Sequence, residues 1–279
     1  MKLVIATLAF LANLFSVRCF LFSNGNIKDW NGLKITFGSP NDTNSFLAMP
    51  RTVQDAVNQG WKRTVGCLEG FNGNRYILNN DNEVMLLFDA NGLIAGISTT
   101  IKKGLPFNFP SQKVRIFLDD EGDSYTLSAY FVDPKKVCTK SLTGTWSWDG
   151  TGDRLVFYSK QALVQAPINE NELSSFWTQG RCFKAMGVHY WASLSGKVTK
   201  DTDPDDFFPV FLLYNKGKLN AFGWAFNANL TSKRFEHPSE TAFPLILKDV
   251  PDYLYDRKKS SVQSTLHIYL DNTPHLNAC

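Results

Sequence analysis

The residues best equipped for chemistry in this 279-residue chain are four histidines, all in its second half: His189, His237, His267 and His275. Imidazole changes charge near neutral pH, donates or accepts through either ring nitrogen, and ligates metals. His189 stands in Met186-Gly187-Val188-His189-Tyr190-Trp191. There Gly187 permits close backbone approach, while Tyr190 and Trp191 supply a polar-tipped aromatic wall. His237 follows Glu236 in Arg234-Phe235-Glu236-His237-Pro238. If the strands carrying His189 and His267 face one another, the two imidazoles converge. Glu236 or His237 then completes an acid–base pair or a metal site. The candidate ligand-binding residues are therefore His189, Tyr190, Trp191, His267, Glu236 and His237. The plainer expectation is that these are satisfied strand histidines near a rim.

Known reaction signatures are absent from the sequence. There is no His-Glu-x-x-His, no Gly-x-Ser-x-Gly, no P-loop and no calcium-loop spacing. Ala192-Ser193-Leu194-Ser195-Gly196 lacks the first glycine of a nucleophile elbow. The acidic runs Asp119-Asp120-Glu121-Gly122-Asp123 and Asp201 to Asp206 read as a hairpin tip and a solvated loop rather than cation sites. No catalytic residue, cofactor or metal site is assigned.

The elements that must position these residues come in two similar sets. Trp30-Asn31-Gly32 leads through Lys34-Ile35 to Phe37 and Ser39, and Trp148-Asp149-Gly150 leads through Arg154-Leu155 to Phe157 and Ser159. Each set continues with a proline (Pro50, Pro167), a tryptophan (Trp61, Trp177) and a cysteine (Cys67, Cys182). Each ends in Thr-Leu-x-x-Tyr and a cysteine, at Thr126 to Cys138 and Thr265 to Cys279. This order reads as a diverged tandem duplication, with β-rich repeats at 30–138 and 148–279 joined near Ser141 to Thr145. Within it, His189 takes the place of Arg75 and His267 that of Ser128, while His237 lies in an insertion. Gly144-Thr145-Trp146 resembles the Gly-x-Trp of lipocalin-type barrels. The first repeat lacks that glycine and the repeat is short for such a barrel, so no family is named.

Period-two alternation predicts strands at Leu33 to Phe37, Glu83 to Phe88, Leu93 to Thr99, Val114 to Leu118 and Tyr125 to Val132. In the second repeat it predicts Arg154 to Tyr158, Val188 to Leu194, Val210 to Tyr214, Leu219 to Phe226 and Thr265 to Leu270. Asn91-Gly92 and Lys216-Gly217 suit hairpin turns. Helices are expected at Thr52 to Gly60, Glu170 to Trp177 and Phe243 to Tyr255. The fold class is β-rich α+β: a strand, a helix and four antiparallel strands, twice, with the halves packed closely.

Lys2 and the apolar stretch Leu3 to Phe15, with Val17 and Cys19 at the −3 and −1 positions, predict a secretory signal over residues 1–19. The stretch is shorter than the roughly 20 residues a bilayer span needs. Cleavage leaves Cys67, Cys138, Cys182 and Cys279, an even set suited to disulfides. Pairing within each repeat is expected over crossed pairing, because each pair brackets one repeat. Asn41-Asp42-Thr43 and Asn229-Leu230-Thr231 are glycosylation sequons. Net charge is +3, from 29 basic and 26 acidic residues, with no basic stripe, which argues against nucleic acid as a partner. The expectation is a secreted glycoprotein binding a small, mostly apolar molecule in a cavity of the second repeat. The alternatives are an enzyme using His189, His267 and His237, or a structural or toxin-like partner-binding protein.

Overall fold

Alternating apolar side chains, many of them β-branched or aromatic, make strands the dominant regular element of the described chain. A computed structural model describes residues 29–36, 43–140 and 150–279. The expected signal at 1–19, the sequon at Asn41, Trp148-Asp149, Gly144-Thr145-Trp146 and the join at Ser141 to Thr145 lie outside those residues.

The described strands form two antiparallel sheets. The first holds, in spatial order, β11 (Trp177–Phe183), β12 (Gly187–Ser193), β13 (Phe207–Asn215), β14 (Lys218–Phe226), β15 (Ser264–Tyr269), β1 (Lys34–Thr36) and β2 (Phe46–Ala48). The second holds β10 (Leu163–Ala166), β9 (Leu155–Tyr158), β8 (Ser124–Tyr130), β6 (Ile94–Lys102), β5 (Asp81–Phe88), β4 (Asn74–Leu78) and β3 (Lys62–Val65). A short strand, β7 (Asp119–Glu121), also pairs with β8. Each sheet is thus a five-strand meander flanked by a hairpin from the other half of the chain. Lys34 and Ile35 pair with Tyr269 and Ile268, and Phe157 and Val156 pair with Ala129 and Tyr130. Trp30 pins the first exchanged hairpin: its indole N–H donates to the Leu219 carbonyl at 2.8 Å, and its own carbonyl accepts from the Thr151 amide at 2.8 Å.

The sheets stack face to face through aromatic side chains. Phe157 of the second sheet lies 5.7 Å from Phe222, 5.9 Å from Trp224 and 6.4 Å from Phe208, all of the first sheet, measured between ring centroids. All four are essentially sealed from solvent. Each such side chain stabilises the fold by about 1.5–3 kcal/mol through burial. Among the described residues most phenylalanines therefore serve the core first. A second, smaller apolar layer covers the outer face of the first sheet, where Phe243, Leu247, Tyr253 and Leu254 lie over Trp191, Phe207 and Phe211.

Several local expectations are met and others are corrected. Helix α1 (Val53–Asn58) is capped by Thr52, whose hydroxyl accepts from the Asp55 amide at 3.0 Å. The Lys216-Gly217 turn takes positive φ at both residues, 51° and 76°. Val114 to Leu118 is not a strand. Ser111 instead caps a short helix, α2 (Gln112–Arg115), because Ser after Pro110 starts a helix more readily than it extends a strand. Glu170 to Trp177 is not a full helix: only Glu170–Glu172 makes a 3-10 turn, and Trp177 opens β11. The two serines Ser174 and Ser175 and the aromatic Phe176 give that stretch little helix propensity. Phe243 to Tyr255 divides into α3 (Phe243–Ile246) and a 3-10 turn at Asp252–Tyr255, separated by Pro251. Disulfides join Cys67 to Cys138 and Cys182 to Cys279, within each half.

Candidate ligand cavity on the outer face of the first sheet

Strand register decides which candidate residues meet. Across the first sheet Trp191 pairs with Phe211, Phe211 with Gly223, and Gly223 with His267. These four form one row on one face. The neighbouring row runs His189, Leu213, Ala221, Tyr269. Because side chains alternate with period two, His189 and Trp191 share this face and Tyr190 takes the other. The missing side chain of Gly223 is what lets Phe211 lie across the sheet. A Cβ there would sit 2.1 Å from Cζ of Phe211 and 2.4 Å from the Leu266 carbonyl oxygen.

The rings form a continuous cluster. Phe211 and His267 are 5.0 Å apart edge to face, Trp191 and Phe211 are 4.9 Å apart, and His189 and His267 are 6.3 Å apart, all between centroids. The insertion after β14 supplies the roof. Its segment at Glu236 forms an isolated bridge with Thr265, with amide-to-carbonyl bonds of 2.8 and 2.9 Å in the two directions. This places Glu236 beside His267, two residues along from Thr265. Nδ1–H of His267 donates to Glu236 Oε2 at 3.0 Å. Further on, α3 closes over β11 and β12: the Trp191 indole N–H donates to the Ile246 carbonyl at 3.2 Å, and Arg181 Nε–H donates to the Leu247 carbonyl at 3.2 Å.

Between roof and sheet is a cavity of about 300 Å³. Apolar residues including Phe183, Met186, Trp191, Phe211 and Ile246 line most of it, and Glu236, His237, Thr265 and His267 form its polar part. His237 donates from Nδ1–H to the Gln263 carbonyl at 3.2 Å. His189 lies in the adjoining row, fully buried, with Nδ1–H donating to the Arg181 carbonyl at 3.2 Å and Nε2 without a hydrogen-bond partner. Burial, with His267 beside it, pulls its pKa down to about 3, so it is a neutral ring at physiological pH.

The structure therefore brings together Trp191, Glu236, His237 and His267 around one space, with His189 beside them. Tyr190 does not join them. It faces the other side of the sheet, where its hydroxyl donates to Glu170 at 2.8 Å, and the strand alternation that brings His189 in turns Tyr190 away. Phe211 and Ile246 were not foreseen from the sequence, whereas Met186 belongs to the segment that opens the His189 strand. Phe211 was visible only as one of several aromatics in a core strand, and Ile246 belongs to a covering segment whose docking depends on tertiary contacts.

The other sheet has different chemistry at the same register. The row corresponding to Trp191, Phe211, Gly223 and His267 is Ile77, Met85, Ser98 and Ser128. There Ser98 and Ser128 hydrogen-bond each other at 3.1 Å. Arg75, opposite Leu87 as His189 is opposite Leu213, makes a two-pronged ion pair with Glu121 at 2.7 and 2.6 Å.

Among the described residues no three His, Cys, Asp or Glu side chains are grouped to hold a metal ion, and no helix is long and apolar enough to cross a membrane. Set against known proteins, the chain matches no family model, no curated protein and no solved structure.

Proposed function

We propose that the protein is a secreted, disulfide-bonded glycoprotein, built from a duplicated β-rich unit, that binds a small and mostly apolar molecule under the roof of the first sheet. One observation carries this reading: an apolar cavity of about 300 Å³ with its polar groups gathered at Glu236, His237, Thr265 and His267. A concave, mostly apolar space with a few convergent polar groups is the usual form of a small-ligand site, and this volume is at the small end of the range. Two disulfides suit an oxidising compartment. Asn229, the described sequon, is exposed. The matching strand order of the two sheets, each completed by the other half's hairpin, supports the duplication.

Calorimetric titration of the full chain with ethylbenzene tests the binding reading. One saturable site with a Kd of about 0.1 mM is expected. Ala242→Trp, which fills the cavity wall, abolishes that binding and leaves the circular dichroism spectrum unchanged. Unsaturable uptake, or equal uptake by Ala242→Trp, rules the reading out.

A second reading, an acid–base enzyme, draws on the Glu236–His267 pair, because a carboxylate on Nδ1 orients an imidazole as a general base. Mass analysis of ligand recovered after incubation separates the two: a binder returns it unchanged, an enzyme does not.

A further inference from the structure

We infer that the ligand of this cavity is a neutral aromatic molecule carrying one hydrogen-bond donor, of the phenol type, and this rests on the cavity being a ligand site. Hydrogen-bond acceptors outnumber donors at the polar end of the cavity. His267 spends its Nδ1 proton on the Glu236 carboxylate, and His237 spends its own on the Gln263 carbonyl. A carbonyl has no proton to give, and the Ser264 hydroxyl, 3.4 Å from the same nitrogen, spends its proton on the Ala228 carbonyl at 2.6 Å, so in the neutral His237 ring the proton sits on Nδ1 and Nε2 is a bare acceptor. The carboxylate fixes the same tautomer on His267. Nε2 is thus the ring nitrogen each histidine has left for a ligand. These two ring nitrogens make the polar part of the cavity accepting, and a ligand O–H completes it.

Shape narrows the ligand further. Trp191, Phe211 and His267 present a run of rings along the sheet, and Ile246 with Met186 completes an apolar enclosure. A flat ring stacks or meets edges there at little ordering cost. The volume of about 300 Å³ holds a single substituted ring or a fused pair, not a long acyl chain. Charge narrows it again. An anionic ligand would lie against the Glu236 carboxylate in a space where water screens poorly, and like charges there repel strongly. A carboxylate ligand such as a fatty acid is disfavoured on both shape and charge, and an ammonium is disfavoured because the cost of stripping its water is not repaid by a carboxylate that already holds His267.

Calorimetry of the full chain at pH 7.5 with 4-ethylphenol, ethylbenzene, 4-ethylbenzoate and 2-phenylethylammonium tests the inference. The expected order has 4-ethylphenol about tenfold tighter than ethylbenzene, the worth of one neutral hydrogen bond, with both ions weaker than ethylbenzene. In the double variant His237→Phe with His267→Phe the phenol loses its advantage while ethylbenzene still binds. Equal affinity for 4-ethylphenol and ethylbenzene overturns the donor claim and leaves the apolar cavity standing. Tighter binding of either ion overturns the neutral class. Failure of all four to bind overturns the cavity reading itself.

Discussion

His189 shows what a single residue reveals about this site. It is sealed, its Nε2 has no hydrogen-bond partner, and its pKa is pulled down from 6.5 to about 3 by burial, with the neighbouring His267 adding to the effect. Above pH 6.5 the ring is neutral in both the folded and unfolded chain and contributes no pH dependence. As the pH falls below 6.5 the unfolded chain takes up a proton that the folded chain refuses, so stability is lost toward pH 3. The expected loss is about 1 kcal/mol per pH unit in that window. Urea denaturation of wild type and His189→Leu between pH 7 and 4 measures it: the wild type should lose stability relative to the variant as the pH falls. Parallel curves would remove His189 from the account. The pairing of Glu236 with His267 was legible in the sequence only as a possibility. Which imidazole is sealed and which lines the cavity depends on the rows set by strand register.

At the scale of elements, the cavity exists because α3 docks on β11 and β12. Gly180 makes this contact possible, since a Cβ there would lie 2.3 Å from the Ile246 carbonyl oxygen, a backbone atom with little freedom to give. Gly180→Ala should push α3 outward and weaken ethylbenzene binding about tenfold, with the thermal midpoint lowered by only a few degrees. Unchanged affinity, read by the same calorimetry, would mean the roof does not shape the site. Alternation in the sequence placed the long strands β5, β6, β8, β13, β14 and β15 near their observed positions. It did not place β3, β10 or β11. Lys62, Arg63 and Thr64 of β3 and Leu163 and Gln165 of β10 are exposed, so these sheet-flank strands carry little hydrophobic pattern. Val114 to Leu118 failed for the complementary reason: a five-residue apolar alternation fits a helical turn as well as a strand, and the cap at Ser111 decided the outcome.

At the scale of the whole molecule, two sheets share one aromatic core and exchange hairpins, so neither half completes its sheet alone. Each disulfide closes a long loop, with separations of 71 and 97 residues, and stabilises by about 4 kcal/mol in the chain-entropy model. The halves also meet at the root of the roof. Asp81 of β5 accepts from Ser232 at 2.6 Å and from Arg234 at 2.5 Å, four and two residues before Glu236. Of the landmarks read in sequence, Tyr130 and Tyr269 lie in β8 and β15, each strand beside the other half's hairpin, whereas Trp61 and Cys67 lie just outside β3 while Trp177 and Cys182 lie within β11. The hairpin exchange was not legible, because short strands such as Lys34–Thr36 carry no information about which of two similar partner strands they join. The central claim is that the space between α3 and the row Trp191, Phe211, Gly223 and His267 holds an aromatic ligand. Anomalous X-ray diffraction from crystals of the full chain soaked in bromobenzene tests it most directly. One dominant bromine peak in van der Waals contact with Trp191, Phe211 and Met186 is expected. No ordered bromine there, or a dominant peak elsewhere on the molecule, would contradict it.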